Sequence, residues 1–268
     1  MILGISSYTF TWAVGVKGHM PPEPLTWTVL LTKAKDLGVS LVQIADNMPL
    51  HIMTEDQIGN LINTADANNI ELEAGANRMT SENLETYLCI AEKIKSKILR
   101  FVIDGEGYKP DLKEVISIIK NADSEFRKRG IILALENHDR FLVSQFIQII
   151  EKIDSPNLGI CLDCANSFGA GEGFHEVVSR LAPYAVNFHL KEVSIKRKFH
   201  MMGFDVEGKP FGEGSLPLVW MLTQLTSKCR TAILEQWTPP EETLEKTIIK
   251  ERNWARQSIT YLRNYFSQ

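Results

Sequence analysis

Four side chains able to bind a cation or move a proton each stand where an apolar run of the chain gives out. Glu136 closes the run 131–135, Asp163 closes 158–162, His189 sits near the end of 185–190, and Glu235 closes 231–234. An ionised carboxylate at such a buried position is costly unless it is paired or bound to a metal. Any one of the four is as readily a loop contact or a partner for a helix amino terminus. Four on successive runs, at one structural depth, are not accounted for that way. Three converging carboxylates would repel one another, and a dication removes the repulsion. The set points to one divalent metal ion (manganese, magnesium, cobalt or zinc). Its three oxygen donors and one imidazole suit the first three better than a structural zinc site.

For these groups to meet, their runs must be neighbouring strands of one sheet. Short runs rich in Ile, Val and Leu occur at 3–7, 41–45, 70–75, 98–103, 131–136, 158–163, 185–190 and 231–236. Each precedes a segment of helical period, at 24–37, 55–68, 81–95, 111–128, 143–153, 175–181, 216–226 and 241–265. Gly38 and Gly130 end the first and fourth helices, and Ser81-Glu82-Asn83 opens the third. Alternating strands and helices predict a parallel sheet covered by helices. Eight units in 268 residues predict an α/β fold, a closed (β/α)8 or TIM barrel, with 1–268 forming one domain. The barrel's catalytic face lies at the carboxyl ends of its strands, where the four groups stand. No GxGxxG follows the first strand and no Walker-type loop occurs. The irregular stretch 192–214 after the seventh strand, and the segment 8–22 with Tyr8, Phe10 and Trp12, are expected to cover the site.

Composition narrows the function classes. A formal net charge of −4 offers no footprint for nucleic acid, and Lys196-Arg197-Lys198 reads as a solvated loop. No apolar stretch is long enough to cross a membrane, and the amino terminus lacks a secretory pattern. Cys89, Cys161, Cys164 and Cys229 are irregularly spaced, and the single CxxC falls at a strand end, so reduced thiols in a cytoplasmic protein are expected.

With the short segments Glu136-Asn137-His138, Asp163-Cys164-Ala165-Asn166, His189-Leu190-Lys191-Glu192, Pro210-Phe211-Gly212-Glu213-Gly214 and Leu234-Glu235, the chain resembles the xylose isomerase-like barrel superfamily, in its branch of sugar phosphate isomerases and epimerases. The resemblance implies that Glu136, Asp163, His189 and Glu235 are the metal ligands. It also implies that Glu136 and Glu235 act as the catalytic acid and base, moving a proton beside a carbonyl whose enediolate the metal stabilises. Ketose 3-epimerases of the family commonly carry a His where Asn166 stands, a Glu at the position of Leu142 and an Arg at that of Ile195, so a free ketohexose fits poorly. His138 matches a pattern of several branches, the dehydroshikimate dehydratases among them.

Further substrate contacts are expected from Asn166, Glu73, Arg100, Trp12 and Trp237 along with His138. For Arg100 an internal salt bridge with Glu73 is the stronger expectation, with Asp104 nearby. Lys191 is expected to turn away from the metal unless the strand has already ended, leaving Lys191-Glu192 at the rim. The expected function is a metal-dependent isomerase or epimerase of a small polyhydroxylated ketone, such as a keto-sugar or inosose. The alternative is a dehydratase of the inosose or 3-dehydroshikimate type. An endonuclease IV-like repair enzyme is disfavoured because Asn166 replaces a zinc-binding His. The partner is then a small carbohydrate-like molecule. The exposed faces of Trp254, Tyr261 and Tyr265 are available for a homo-oligomer.

Overall fold

Short apolar runs and segments of period 3.6 become strands and helices in the computed structural model, which describes residues 1–266. In chain order they are β1 (Ile2–Ser6), α1 (Thr11–Val14), α2 (Trp27–Asp36), β2 (Leu41–Ile44), α3 (Glu55–Ala67), β3 (Glu71–Ala76), α4 (Ser81–Lys93), β4 (Ile98–Phe101), α5 (Leu112–Arg129) and β5 (Ile132–Glu136). There follow α6 (Val143–Ile153), β6 (Leu158–Asp163), α7 (Phe174–Leu181), β7 (Ala185–Leu190), β8 (Val193–Arg197), β9 (Phe204–Gly208), α8 (Leu218–Gln224), β10 (Thr231–Leu234) and α9 (Leu244–Leu262). The caps are local chemistry. Thr26, Thr54, Thr80, Asp111 and Thr243 each accept a backbone N–H at a helix start, and Gly130 ends α5 in the left-handed region at φ 64°.

Eight parallel strands close into a barrel in the order β1-β10-β7-β6-β5-β4-β3-β2. This is the (β/α)8 barrel expected from the alternation. The main core packs strand residues such as Ile44, Leu99, Leu135 and Phe188 against helix residues such as Leu61, Leu88, Ile119 and Val178. Inside the barrel the filling is unusually polar. Gln43, Glu73, Arg100, Asn187 and His189 are buried there, beside a small apolar cluster of Ile98, Ala134, Cys161 and Val186. Barrel interiors are ordinarily packed with Val, Ile and Leu, so this polar column calls for a functional account. Among the described residues no helix is long and apolar enough to cross a membrane.

The stretch 192–214 is not irregular throughout. It contains the antiparallel hairpin β8–β9, with Val193 opposite Gly208 and Arg197 opposite Phe204. Most of the hairpin is exposed, so it has no buried face to impose an apolar alternation, and the sequence carries no strand signal there. The basic run ends β8 and enters the turn, where Arg197 lies over the Phe204 ring and Lys198 pairs with Asp205. Segment 8–22 is a tight turn and the short α1 rather than a loose cover. Phe10 is in the core, and Tyr8 and Trp12 line the cavity.

Candidate metal centre

Strand register brings the four groups to one level. Asp163 is the register partner of His189 on β6 and β7, Glu136 ends β5, and Glu235 follows the last residue of β10. One donor atom from each lies within 4.8 Å of the others, and all four residues are buried. His189 Nδ1 is 3.6 Å from Glu136 Oε2, 3.8 Å from Asp163 Oδ2 and 3.5 Å from Glu235 Oε2. It is a buried nitrogen with no hydrogen-bond partner.

Each carboxylate is held by its other oxygen. Asn166 Nδ2 donates to Glu136 Oε1 at 2.7 Å, and the backbone N–H groups of Ala165 and Asn166 donate to Asp163 Oδ1 at 2.8 and 2.9 Å. Ser6 Oγ donates to Glu235 Oε1 at 3.0 Å. Holding one oxygen of each carboxylate leaves the second directed at a common point with the orphaned imidazole nitrogen. Outer contacts of this kind orient metal ligands. An unpartnered buried nitrogen facing three oriented carboxylate oxygens fits a divalent cation, and the residues form a possible metal site. Cys161 lies close by, but burial first, and then the Glu136 charge, push its thiol well above the ordinary range. It stays neutral and donates to Asn187 Oδ1.

Two fixed cations flank this cluster. Arg100 pairs with Glu136 through Nε and with Asp46 through Nη1. The expected bridge from Arg100 to Glu73 is therefore corrected. Arg100 is level with Gly75 in the β3–β4 register, two residues past Glu73, and its side chain reaches the strand-end layer instead. Lys191 is corrected as well. Lys191 stands two residues past His189, so alternation returns it to the face that His189 presents, and Nζ lies 2.6 Å from Asp163 Oδ2 and 3.0 Å from Glu235 Oε2. Its third contact is Asn166 Oδ1 at 3.0 Å, and the ammonium lies 5.5 Å from the Trp237 ring centroid. Burial pushes Lys191 down, but the Asp163, Glu235 and Glu136 charges outweigh it and hold the group protonated. Burial likewise pushes Glu235 up, and the His189 and Lys191 charges overcome it, holding the carboxyl well below its ordinary range. Glu192 is not at the rim. Its Oε1 accepts from the Val193 and Leu216 N–H groups and closes the base of the hairpin loop.

Above the cluster opens a cavity of about 930 Å³. Of the residues expected to meet a substrate, Arg100, Asn166, His138, Trp12 and Trp237 line it. Trp12 is fixed by its indole N–H on the Thr238 carbonyl at 2.8 Å, and its backbone N–H donates to Glu251. His138 is half-exposed beside Asp139, away from the four donors. Glu73 differs from expectation. It lies on the far side of His189, contacts Gln43 and Asn187, and borders a separate cavity of about 480 Å³ at the other end of the barrel. Asp104 holds Arg140 at the rim. Sequence reasoning missed Asp46, Tyr8 and Ser6 as site groups. Asp46 had a signal, since it directly follows the apolar run 41–45. Its Oδ2 accepts from the Tyr8 hydroxyl at 2.9 Å.

Comparison with known proteins places the arrangement. A curated relative, 3-oxo-isoapionate decarboxylase from Pectobacterium atrosepticum, is 28% identical over 264 residues, covering 98% of this chain and 95% of its own. Solved structures share the fold across nearly the whole length. A probable 3-DHS dehydratase from Bacillus anthracis superimposes with a TM-score of 0.71 at 15% identity, covering 99% of this chain and 100% of its own. D-psicose 3-epimerase from Clostridium cellulolyticum H10 gives 0.70 at 15% identity, covering 99% of both chains. The family model described as xylose isomerase-like TIM barrel matches residues 31–265. The chain therefore belongs to the xylose isomerase-like TIM barrel family.

Proposed function

We propose that this protein is a metal-dependent enzyme of small oxidised sugars. On this reading Glu136, Asp163, His189 and Glu235 hold the cation, and the substrate is a 3-oxo sugar acid that loses its carboxylate as carbon dioxide. One observation carries the choice of reaction. Both carboxylates that could serve as a base are tied to a fixed cation, Glu136 to Arg100 and Glu235 to Lys191. A carboxylate so neutralised is a weak acceptor for a proton on carbon. Decarboxylation needs no such base, because the breaking C–C bond leaves its electron pair on the substrate and carbon dioxide departs. When bound, the dication supplies a positive charge for the oxygens on which that electron density collects. The His189 and Lys191 charges keep Glu235 ionised, and the protonated Lys191 lines the cavity as a donor for the proton that replaces carbon dioxide. The curated relative supports the reading, since its name specifies decarboxylation of a 3-oxo acid and the match spans both chains.

A second reading is the isomerase or epimerase expected from the sequence. It is favoured by Glu136 and Glu235 both lining the cavity from strands separated by β6 and β7. The manganese-loaded enzyme, incubated in heavy water with 3-oxo sugar acids and with free ketoses, separates the two. Decarboxylation releases carbon dioxide in step with substrate loss and leaves free ketoses unchanged. Inverted or deuterium-exchanged ketose without carbon dioxide would establish the second reading and remove the first. An enone absorbance would point to the dehydratase.

A further inference from the structure

We infer that Glu73, which touches neither the cavity nor any of the four donors, is a positioning residue that fixes which nitrogen of His189 faces the metal site. The inference rests on the metal reading above and concerns only this chain's own hydrogen bonds. His189 Nε2 is 2.9 Å from Gln43 Oε1, and Gln43 Nε2 donates to Glu73 Oε2 at 3.0 Å. An amide has unlike ends, so the Glu73 oxygen dictates which end of Gln43 meets the imidazole. With Gln43 Oε1 presented, His189 Nε2 must carry the proton. In the neutral ring that metal binding requires, Nδ1 is then left with a lone pair toward Glu136, Asp163 and Glu235.

The rest of the column admits only this polarity. Asn187 Nδ2 donates to Glu73 Oε2 at 3.2 Å and to Thr231 Oγ1 at 2.7 Å, while Asn187 Oδ1 accepts from the neutral Cys161 thiol at 2.9 Å. A flipped Asn187 would set its Oδ1 against Glu73 Oε2 and exchange the thiol donor for a weak sulfur acceptor, so its N–H groups lie toward Glu73. Glu73 Oε2 thus accepts from two amides. Burial pushes its carboxyl up to about 7, against hydrogen bonds from Thr231 and Gln43, and either protonation state leaves Oε2 an acceptor. The opposite arrangement has its own attraction. A proton on Nδ1 would point at three carboxylates and satisfy them without a metal. In a neutral ring it would require Gln43 to turn its N–H toward His189, and Glu73 opposes that turn by presenting an acceptor where the Gln43 carbonyl would then sit. Glu73 acts as a latch against a metal-blocking tautomer, from outside the cavity above the cluster.

The test uses manganese titration calorimetry on the full chain, with histidine nitrogen NMR of the zinc-loaded protein. Glu73→Leu removes the acceptor and is expected to weaken manganese binding by about tenfold to a hundredfold. Glu73→Gln keeps an acceptor oxygen and is expected to restore affinity to within roughly threefold of the wild type, which a charge role for Glu73 does not predict, while the nitrogen NMR separates the proposal from a steric role. In the zinc-loaded wild type, His189 must show Nε2 protonated and Nδ1 ligated. Unchanged affinity in Glu73→Leu, an equal loss in Glu73→Gln, or a loaded His189 with its proton on Nδ1 each overturns the role of Glu73. The NMR arm needs no variant to fold. A wild type that binds no manganese overturns the metal reading along with it.

Discussion

Replacing Lys191 with methionine keeps a long apolar stem under Trp237 and removes the charge. In the metal-free protein the Asp163 and Glu235 oxygens lose their contacts at 2.6 and 3.0 Å. Removing one partner of a buried ion pair costs about 3–5 kcal/mol, because the surviving charge is left uncompensated. With an unfolding entropy of roughly 2.1 cal/mol/K per residue, a chain of 268 residues should lose about 5–9 °C of melting temperature. A bound dication addresses the same two oxygens, so the loaded variant should recover most of that deficit. The thermodynamic cycle then requires the folded variant to bind manganese more tightly than the wild type, by roughly tenfold or more. The assay is a pair of melts, chelated and at saturating manganese, with calorimetry of manganese binding. Tightening on loss of a residue from the site is an unusual sign. Weaker manganese binding in Lys191→Met, or a melting deficit of equal size with and without metal, would refute the arrangement proposed for these oxygens.

Three other outcomes are expected. Chelation should abolish turnover and lower the melting temperature by about 5 °C relative to protein held at a hundredfold excess of metal over its dissociation constant, with both restored by manganese, magnesium or cobalt. Gly208→Ala should keep the fold but cost about a hundredfold in kcat/KM, since a Cβ there would land on the Trp237 carbonyl and push the hairpin off the cavity wall; activity near wild type would show that the hairpin does not shape the site. Burial pushes Glu251 up to about 8 against the N–H groups of Trp12 and Ala13. Its folded pKa thus lies above the unfolded one, so its stabilisation is complete below about pH 4.5 and is lost as pH rises toward 8, by at most about 1.4 kcal/mol per pH unit. Urea melts of Glu251→Gln should lack this component of the decline, and an unchanged pH slope would remove Glu251 as its source.

The barrel was legible because its strands are buried on both faces and read as continuous apolar runs. The limits of β6 and β7 match the residues read from sequence at both ends. The convergence of Glu136, Asp163, His189 and Glu235 was legible for the same reason, since each ends a run that the sheet must align. What failed was direction and reach. Arg100 was matched to Glu73 by strand adjacency, but its long side chain passes to the layer above and finds Glu136 and Asp46. Lys191 is expected to turn from the metal, yet it stands two residues past His189 and so shares its face. The column from His189 through Gln43 to Glu73 joins residues 43, 73 and 189, and only the closed barrel brings β2, β3 and β7 together around its axis.

The same charges that make the cluster a place for a dication bear on which bond it can break. Asp46, Glu136, Asp163 and Glu235 supply four negative groups, and Arg100 and Lys191 supply two positive ones. A dication brings this set to neutrality with His189 uncharged. A substrate ketone entering a neutral site meets no net field that opposes it, and carbonyl oxygens are drawn to the cation. To take a proton from carbon, a carboxylate would have to give up its cation first, at the cost of exposing a buried charge. To lose carbon dioxide, nothing at the site has to change its protonation before the bond breaks. Tyr8, whose hydroxyl is held on Asp46, also stays protonated, because burial and the neighbouring carboxylates push it far above its usual range. The cavity wall thus holds two proton donors, Tyr8 and Lys191, and no unencumbered base among the groups that face the cluster. On the proposed reading, the cations set beside the ligands turn this site from proton abstraction toward loss of carbon dioxide.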